Sequence, residues 1–214
     1  MIYRTRDAFL KSEKNPIFNY DPGNCIIFSR DIKSQFKELH NMCEGFPLLV
    51  NGISISSVEA LYQACKFPQN KEMQRRIIKA EYAFEAKEIS KECDQNLIRA
   101  DWLDVQVLIM EWCERVKLFQ NWDEFSKLLL SLEDLEIVLE SLKKDFFWSA
   151  IRVIREGCPD FLVGSNFNGR ILTELRDNLK IGVDKISQNF SILPPPPVRD
   201  FLLLGEKIRV IKRS

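Results

Sequence analysis

From Asp101 onward, Val105, Leu108, Ile109, Trp112, Val116 and Phe119 recur at steps of three and four. That period puts them on one face of a long amphipathic helix, which must find a partner surface to bury that face. Around this helix the other patterns arrange themselves. Asn51-Gly52 separates Phe46-Pro47-Leu48-Leu49-Val50 from Ile53-Ser54-Ile55-Ser56, a hairpin signal because both turn residues tolerate positive φ. Ser56-Ser57-Val58-Glu59 then has capping-box spacing, with Ser56 as N-cap and Glu59 at the third helical position of a helix running to about Phe67, before Pro68. Lys71 to Ala80 and Glu81 to Cys93 read as two further helices. Glu124 to Leu132 and Glu133 to Ser141 read as short helices or a helix–strand pair, Asp145 to Arg155 as helix, and Asn166 to Leu179 as the closing helix. Cys25 to Phe28 is a candidate strand, and Met1 to Pro22 has no clear period. The expected fold is mainly α, a single compact helical domain with a small β hairpin near the N-terminus. Its expected division is an arm over 1–22, the domain over 23–182, and a linker and tail over 183–214, with polyproline II at Pro194 to Pro197 and then an appended strand or packed arm.

Composition limits the function classes. At 214 residues, 45% apolar and 29% charged, the chain suits one ordinary globular domain. Lys plus Arg equals Asp plus Glu at 31 each, which argues against an extended basic surface for duplex DNA but leaves room for a small charged pocket. With His40 the lone histidine and no close cysteine pair among Cys25, Cys43, Cys65, Cys93, Cys113 and Cys158, neither a zinc site nor a Ser/His/Asp arrangement is expected. The thiols read as free and mostly buried. No signal peptide or membrane segment is recognisable, so a cytoplasmic location is expected.

Four groups carry candidate chemistry. Glu59, Gln63 and Lys66 fall at i, i+4 and i+7, one polar stripe on a helix otherwise built from Val58, Leu61, Tyr62, Cys65 and Phe67. The same residues also fit a capping box and a solvated lysine. Asp101-Trp102 fits either a helix cap followed by core or an indole that stacks on a base. Asp145 and Trp148 fit ring recognition or a cap with aromatic core. Asn168-Gly169-Arg170 opens the last helix, where backbone amides and a guanidinium suit a phosphate, although no Gly-rich phosphate loop is present.

Taken together, Phe46-Pro47, Val50-Asn51-Gly52, Ser57-Val58-Glu59-Ala60-Leu61-Tyr62-Gln63-Ala64-Cys65-Lys66-Phe67, Asp101-Trp102, Met110, Lys117 with Gln120-Asn121, Glu140-Ser141, Asp145-Phe146-Phe147-Trp148 and Asn168-Gly169-Arg170-Ile171-Leu172 resemble, in order, the signature of the NADAR (YbiA-like) family. The resemblance spans about Cys25 to Leu179. It departs at Leu39-His40-Asn41-Met42, where Leu-Ser-Asn is usual, and at Ser149, where glycine is usual. It implies an N-glycosidase that cleaves a ribose C1–N bond without a cofactor. One branch of the family acts on phosphoribosylamino-pyrimidine intermediates of riboflavin synthesis. Another removes ADP-ribose from guanine in DNA, reversing an ADP-ribosyltransferase toxin. The Glu-Ala-Leu-Tyr-Gln-Ala form, Phe67-Pro68 and the Pro-rich tail ending in Phe-Leu-Leu-Leu-Gly look more like the second branch. A non-catalytic module that binds ADP-ribose or NAD is the competing class. On the resemblance, Glu59 is the principal acid/base and Lys66 a charge partner or imine-forming amine. Trp102 and Trp148 flank the base, Asp145 accepts from its edge, Asn41 and Gln63 line the pocket, and Asn168, Arg170 and Arg30 hold phosphate.

Overall fold

The computed structural model describes residues 16–31, 33–142, 145–182 and 192–212. Its elements run β1 (Phe18–Tyr20), β2 (Cys25–Phe28), β3 (Leu48–Val50), β4 (Ile53–Ile55), α1 (Val58–Ala64), α2 (Lys71–Ile78), α3 (Ala83–Glu92), α4 (Trp102–Gln120) and α5 (Trp122–Ser131). They continue with β5 (Glu136–Leu139), β6 (Ile151–Val153), β7 (Phe161–Gly164), α6 (Phe167–Gly182), β8 (Ile192–Leu193), β9 (Leu202–Leu203), β10 (Glu206–Lys207) and β11 (Ile211–Lys212). The expected mainly α class is thereby corrected: the described residues are 43% helical and 18% strand, a mixed α/β fold.

Over Glu124 to Ser141 the helix–strand alternative is the one observed, as α5 and β5, and each strand that was not clearly expected has a reason. β1, in a stretch without visible period, pairs antiparallel with β7, which also pairs with β6. Three residues are too few for an alternation to register. β2 and β5 pair in parallel, and Ile137, Val138 and Leu139 of β5 are all buried. A strand covered on both faces reads as a plain apolar run, indistinguishable by period from a helix segment. A bridge between Glu140 and Ala150 links this pair to β6, which follows directly. The helix expected over Asp145 to Arg155 is a tight turn followed by β6. Asp145 Oδ1 accepts from the Trp148 amide at 3.1 Å, and Ser149 Oγ donates to the Asp145 carbonyl at 2.5 Å. The β-branched Ile151, Val153 and Ile154 then favour extended backbone.

The hairpin forms where expected. Asn51 and Gly52 take φ of 52° and 79°, which joins β3 to β4 by a tight turn whose twist suits the strands. The long helix begins at Trp102, as the periodicity implies, and α6 closes the body against β5 and α5. The helix cap is displaced by one residue. Ser57, not Ser56, is the N-cap of α1 and accepts from the Ala60 amide at 3.2 Å. Glu59 is therefore the second helical residue, and its carboxylate is used elsewhere. All seven residues of α1 are buried, packed against α2, α3, α4 and β4.

The approach of α6 to β5 is set by Asn166 and Gly169. Asn166, at φ 50°, accepts from the Leu139 amide at 2.9 Å and donates to the Ile137 carbonyl at 2.9 Å. A methyl group on Gly169 would collide with that carbonyl and with the Asn166 amide. Gly169→Ala is therefore expected to cost about 1–3 kcal/mol of stability, read as a lower urea midpoint, because backbone and not a flexible side chain would have to yield. All six cysteines are free thiols, with Cys65 and Cys113 buried. Among the described residues no helix is long and apolar enough to cross a membrane.

Candidate active site

Glu59 is 2% exposed, so its carboxylate must be held by donors. Asn41 Nδ2 donates to Oε2 at 2.5 Å, and Gln63 Nε2, one turn along the same helix, donates to Oε1 at 2.6 Å. The Asn41 carbonyl also accepts from the Glu59 amide at 3.0 Å, which binds the loop before β3 to the first turn of α1. Lys87 Nζ of α3 stands 4.0 Å from Oε1. The polar stripe expected along α1 is thus an interior network around one buried carboxylate.

Near enough to this carboxylate to feel its charge stand Tyr62 and Lys66, which belong to an aromatic wall. The rings of Tyr62 and Trp102 lie 5.0 Å apart, and Trp148 meets Tyr62 edge-on at 5.6 Å. The Lys66 ammonium sits 5.3 Å from the Trp102 ring centroid and 5.9 Å from that of Tyr62. Burial pushes the Lys66 amine below its ordinary range, nearby Lys87 adds to that, and Glu59 opposes it. Burial likewise holds Tyr62 well above the usual phenol value, so it stays neutral. Trp148 packs against Phe147 and Phe167. Its position is fixed by Asp145, which caps its amide, and by the Asn168 amide, which donates to its carbonyl at 3.2 Å. Asn168 is itself buried, with Oδ1 unpartnered among the described residues.

The structure therefore joins Asn41, Glu59, Gln63, Lys66, Trp102 and Trp148, with Asp145 and Asn168 supporting Trp148. Arg170 is placed differently. Its guanidinium lies over the rings of Phe18 and Phe167, at 4.8 and 5.3 Å, next to Tyr20 on the β1 side of α6. It reaches the wall through the Phe167 ring. Arg30 stacks over the exposed Phe84 of α3 at 5.2 Å, one turn before Lys87. Lys87, Phe84 and Tyr62 belong to the site's surroundings but were not singled out in the sequence. The available signal was weak: the buried Ala83 and Ala86 let α3 approach α1 closely, but alanines in a Glu/Lys-rich helix read as propensity alone.

Behind the site lies a second buried charge group on α4. Lys117 Nζ donates to the Glu38 carbonyl at 2.6 Å, in the turn just before His40 and Asn41, and lies 4.1 Å from the Phe125 ring centroid. Burial pushes the Glu114 carboxyl up to about 7, against the pull of Lys117 and with a smaller push from Glu59. Its folded value lies above the ordinary 4.5, so the native state holds that proton more tightly than the unfolded chain. The stabilisation is complete below pH 4.5 and is lost as pH rises through about 7. We expect the urea unfolding free energy to fall by roughly 3 kcal/mol between pH 5 and 8 from this group. The slope should flatten in Glu114→Gln. His40 is driven down to about 3 by burial and then by Lys117, Lys87 and Arg30. It is a neutral imidazole whose Nδ1 accepts from the Met42 amide at 3.0 Å, and it is no proton shuttle near neutrality.

A buried, doubly hydrogen-bonded carboxylate near an aromatic wall, with amines close by, can bind a flat ring and assist departure of a leaving group from it. The solution NMR structure of the Escherichia coli protein YbiA is similar to this chain, with TM-score 0.58 and 22% identity over 75% of this chain and 88% of that one. This likeness shows the fold. No curated protein matches the sequence with significance. The NADAR domain family model matches residues 9–180, which include every residue of the wall and of the Glu59 network. The chain therefore belongs to the NADAR family, whose members are hydrolases of the N-glycosidase type.

Proposed function

We propose that this protein hydrolyses the ribose C1–N bond that joins ADP-ribose to guanine in DNA. The observation that carries the reading is Glu59, buried and held by Asn41 and Gln63, with its charge acting on Tyr62 and Lys66 of the Tyr62, Trp102 and Trp148 ring cluster. Breaking the C1–N bond leaves positive charge on the sugar and an electron pair on the departing guanine nitrogen. The Glu59 carboxylate offsets the first charge and takes a proton from the attacking water. The hydroxyl joins C1, and the proton ends on guanine. The rings supply a stacking face for an unstacked base, which suits a single-stranded or extruded guanine. Lys66, Lys87 and Arg30 supply positive charge on the Glu59 side of the wall, which favours a diphosphate-bearing substrate over one with a single phosphate. In this reading Lys87 takes the anion-holding part that the sequence pattern gave to Arg170.

The test is incubation of the protein with guanine-ADP-ribosylated single-stranded DNA, following free ADP-ribose by mass spectrometry. Release by the wild type supports the proposal. Absence of release, together with cleavage of a phosphoribosylamino-pyrimidine, would reassign the substrate to the riboflavin branch. Tight ADP-ribose binding without cleavage of either substrate would make the protein a binder.

A further inference from the structure

We propose that the segment from Ile192 to Lys212 is a strap that fixes the Lys66–Trp102 wall, acting through Arg99 as a positioning residue. The strap lies beyond residues 9–180, where the family match ends. It nonetheless belongs to the core: Phe201, Leu203, Ile208 and Ile211 are all buried there. The strap touches α4, α2 and the β3–β4 turn. The Pro194 carbonyl accepts from Trp112 Nε1 at 3.1 Å, and the Phe201 ring meets Trp112 edge-on at 5.1 Å. Gln74 of α2 donates to the Leu202 carbonyl at 2.9 Å and accepts from the Leu204 amide at 2.6 Å. Asn51 in the hairpin turn donates to the Lys207 carbonyl and accepts from the Arg209 amide, both at 3.0 Å.

At one point the strap meets the candidate site. Arg99 Nη2 donates to the Arg199 carbonyl at 2.6 Å and to Asp101 Oδ2 at 3.0 Å, while Nε donates to Asp101 Oδ1 at 2.5 Å. The Arg99 side chain is 5% exposed. Its backbone holds both members of the wall: its amide donates to the Lys66 carbonyl at 2.9 Å, and its carbonyl accepts from the Trp102 amide at 3.1 Å. Arg99 thus ties the strap to Asp101 through its guanidinium, and Lys66 to the start of α4 through its backbone. A planar fork bound on two edges leaves little rotational freedom, so the strap sets the distance between the Lys66 ammonium and the Trp102 ring. Misplacing a substrate-holding group by about 1 Å is enough to cost 10²-fold in rate.

This inference rests on the reading of Lys66 and Trp102 as a substrate-holding face, so its test has one arm that needs no activity. In full-length Arg99→Gln and Phe201→Ala, hydrogen exchange is measured at the amides of residues 65–67 and 99–103. Two variants are used so that loss of fold in one leaves the other informative. The strap reading expects about ten-fold faster exchange at those amides in both variants, with the Ile53–Ile55 strand unchanged. Unchanged exchange at 65–67 and 99–103 in a folded variant overturns the proposal. In the activity arm, Arg99→Gln is expected to lower kcat/KM for the ADP-ribosylated oligonucleotide roughly ten- to hundred-fold, with kcat falling as well, and to add nothing to Trp102→Ala. Additive losses overturn the positioning role. A wild type inactive on every substrate defeats the proposed function, while the exchange arm still decides the strap.

Discussion

Glu59→Gln is expected to lower the single-turnover release of ADP-ribose by about 10²–10⁴-fold while leaving the protein folded. The substitution keeps the shape of the side chain and removes its charge and its ability to carry a proton. Both oxygens of Glu59 accept from amide NH₂ groups, Asn41 at 2.5 Å and Gln63 at 2.6 Å. A glutamine offers one acceptor and one NH₂, so either Asn41 or Gln63 must turn its own amide to present oxygen. Gln63 Oε1 is buried and unpartnered among the described residues, so a turned or shifted Gln63 has an acceptor ready for the new NH₂. The stability cost is therefore small, and removing a buried charge partly offsets it. Circular dichroism and the urea midpoint check the fold, and mass spectrometry of released ADP-ribose checks the rate. Asn41→Ala should fall between the two enzymes, because it keeps the carboxylate but frees one oxygen to rotate. Full turnover by Glu59→Gln would remove Glu59 from the chemistry, whatever the substrate.

What the sequence made legible follows from the length of each signal. The hairpin was legible because Asn51-Gly52 is a local instruction, complete in two residues. The long helix α4 was legible because its period repeats over five turns. The strands β1, β6 and β7 have three or four residues each, and β5 has no alternation because its Ile137, Val138 and Leu139 are all buried. The capping box misled by one position because the spacing rule selects Ser56, three residues before Glu59, over Ser57, which stands three before Ala60. Only the packing of α1 against its neighbours selects Ser57, and that choice frees Glu59 from capping. Within the site, Glu59 and Gln63 were legible together since a helix places i and i+4 on one face. Lys87 and the Arg99 link were not, because each depends on contacts between distant segments. For the same reason the stacking of the Arg170 guanidinium on Phe18 and Phe167 was not legible from its place at a helix N-terminus.

Lys66→Met is expected to abolish measurable turnover, a loss of about 10³-fold or more, if the amine forms a covalent intermediate. The chemistry balances in that route. The C1–O4′ bond breaks as the guanine nitrogen forms an iminium at C1, and the ring oxygen takes a proton from water, to be returned on reclosure. The neutral Lys66 amine then adds to C1, and guanine leaves with the proton that the amine gives up, which leaves the lysine imine. Water then hydrolyses the lysine imine to the aldehyde, which recloses, and Lys66 is regenerated. The amine must be unprotonated to attack, and its surroundings favour this. Burial against Trp102 and Tyr62 pushes its proton affinity down most, Glu59 pulls the other way by less, and Lys87 adds a lesser push down. The sign for pH follows: the rate of the amine step rises with pH and levels off once Lys66 has lost its proton. Lys87→Met removes a like charge, raises the Lys66 pKa, and should move that plateau to higher pH. Two further results separate the covalent role from an electrostatic one. Borohydride added during turnover should leave a reduced adduct on the Lys66 peptide of the wild type. Lys66→Arg, which keeps the charge and the ring stacking but has no nucleophilic amine, should be as inactive as Lys66→Met. An Arg variant with most of its activity and no trapped adduct would make Lys66 a charge partner. In that case the stacked ammonium stabilises the departing diphosphate sugar, and Glu59 alone handles the proton.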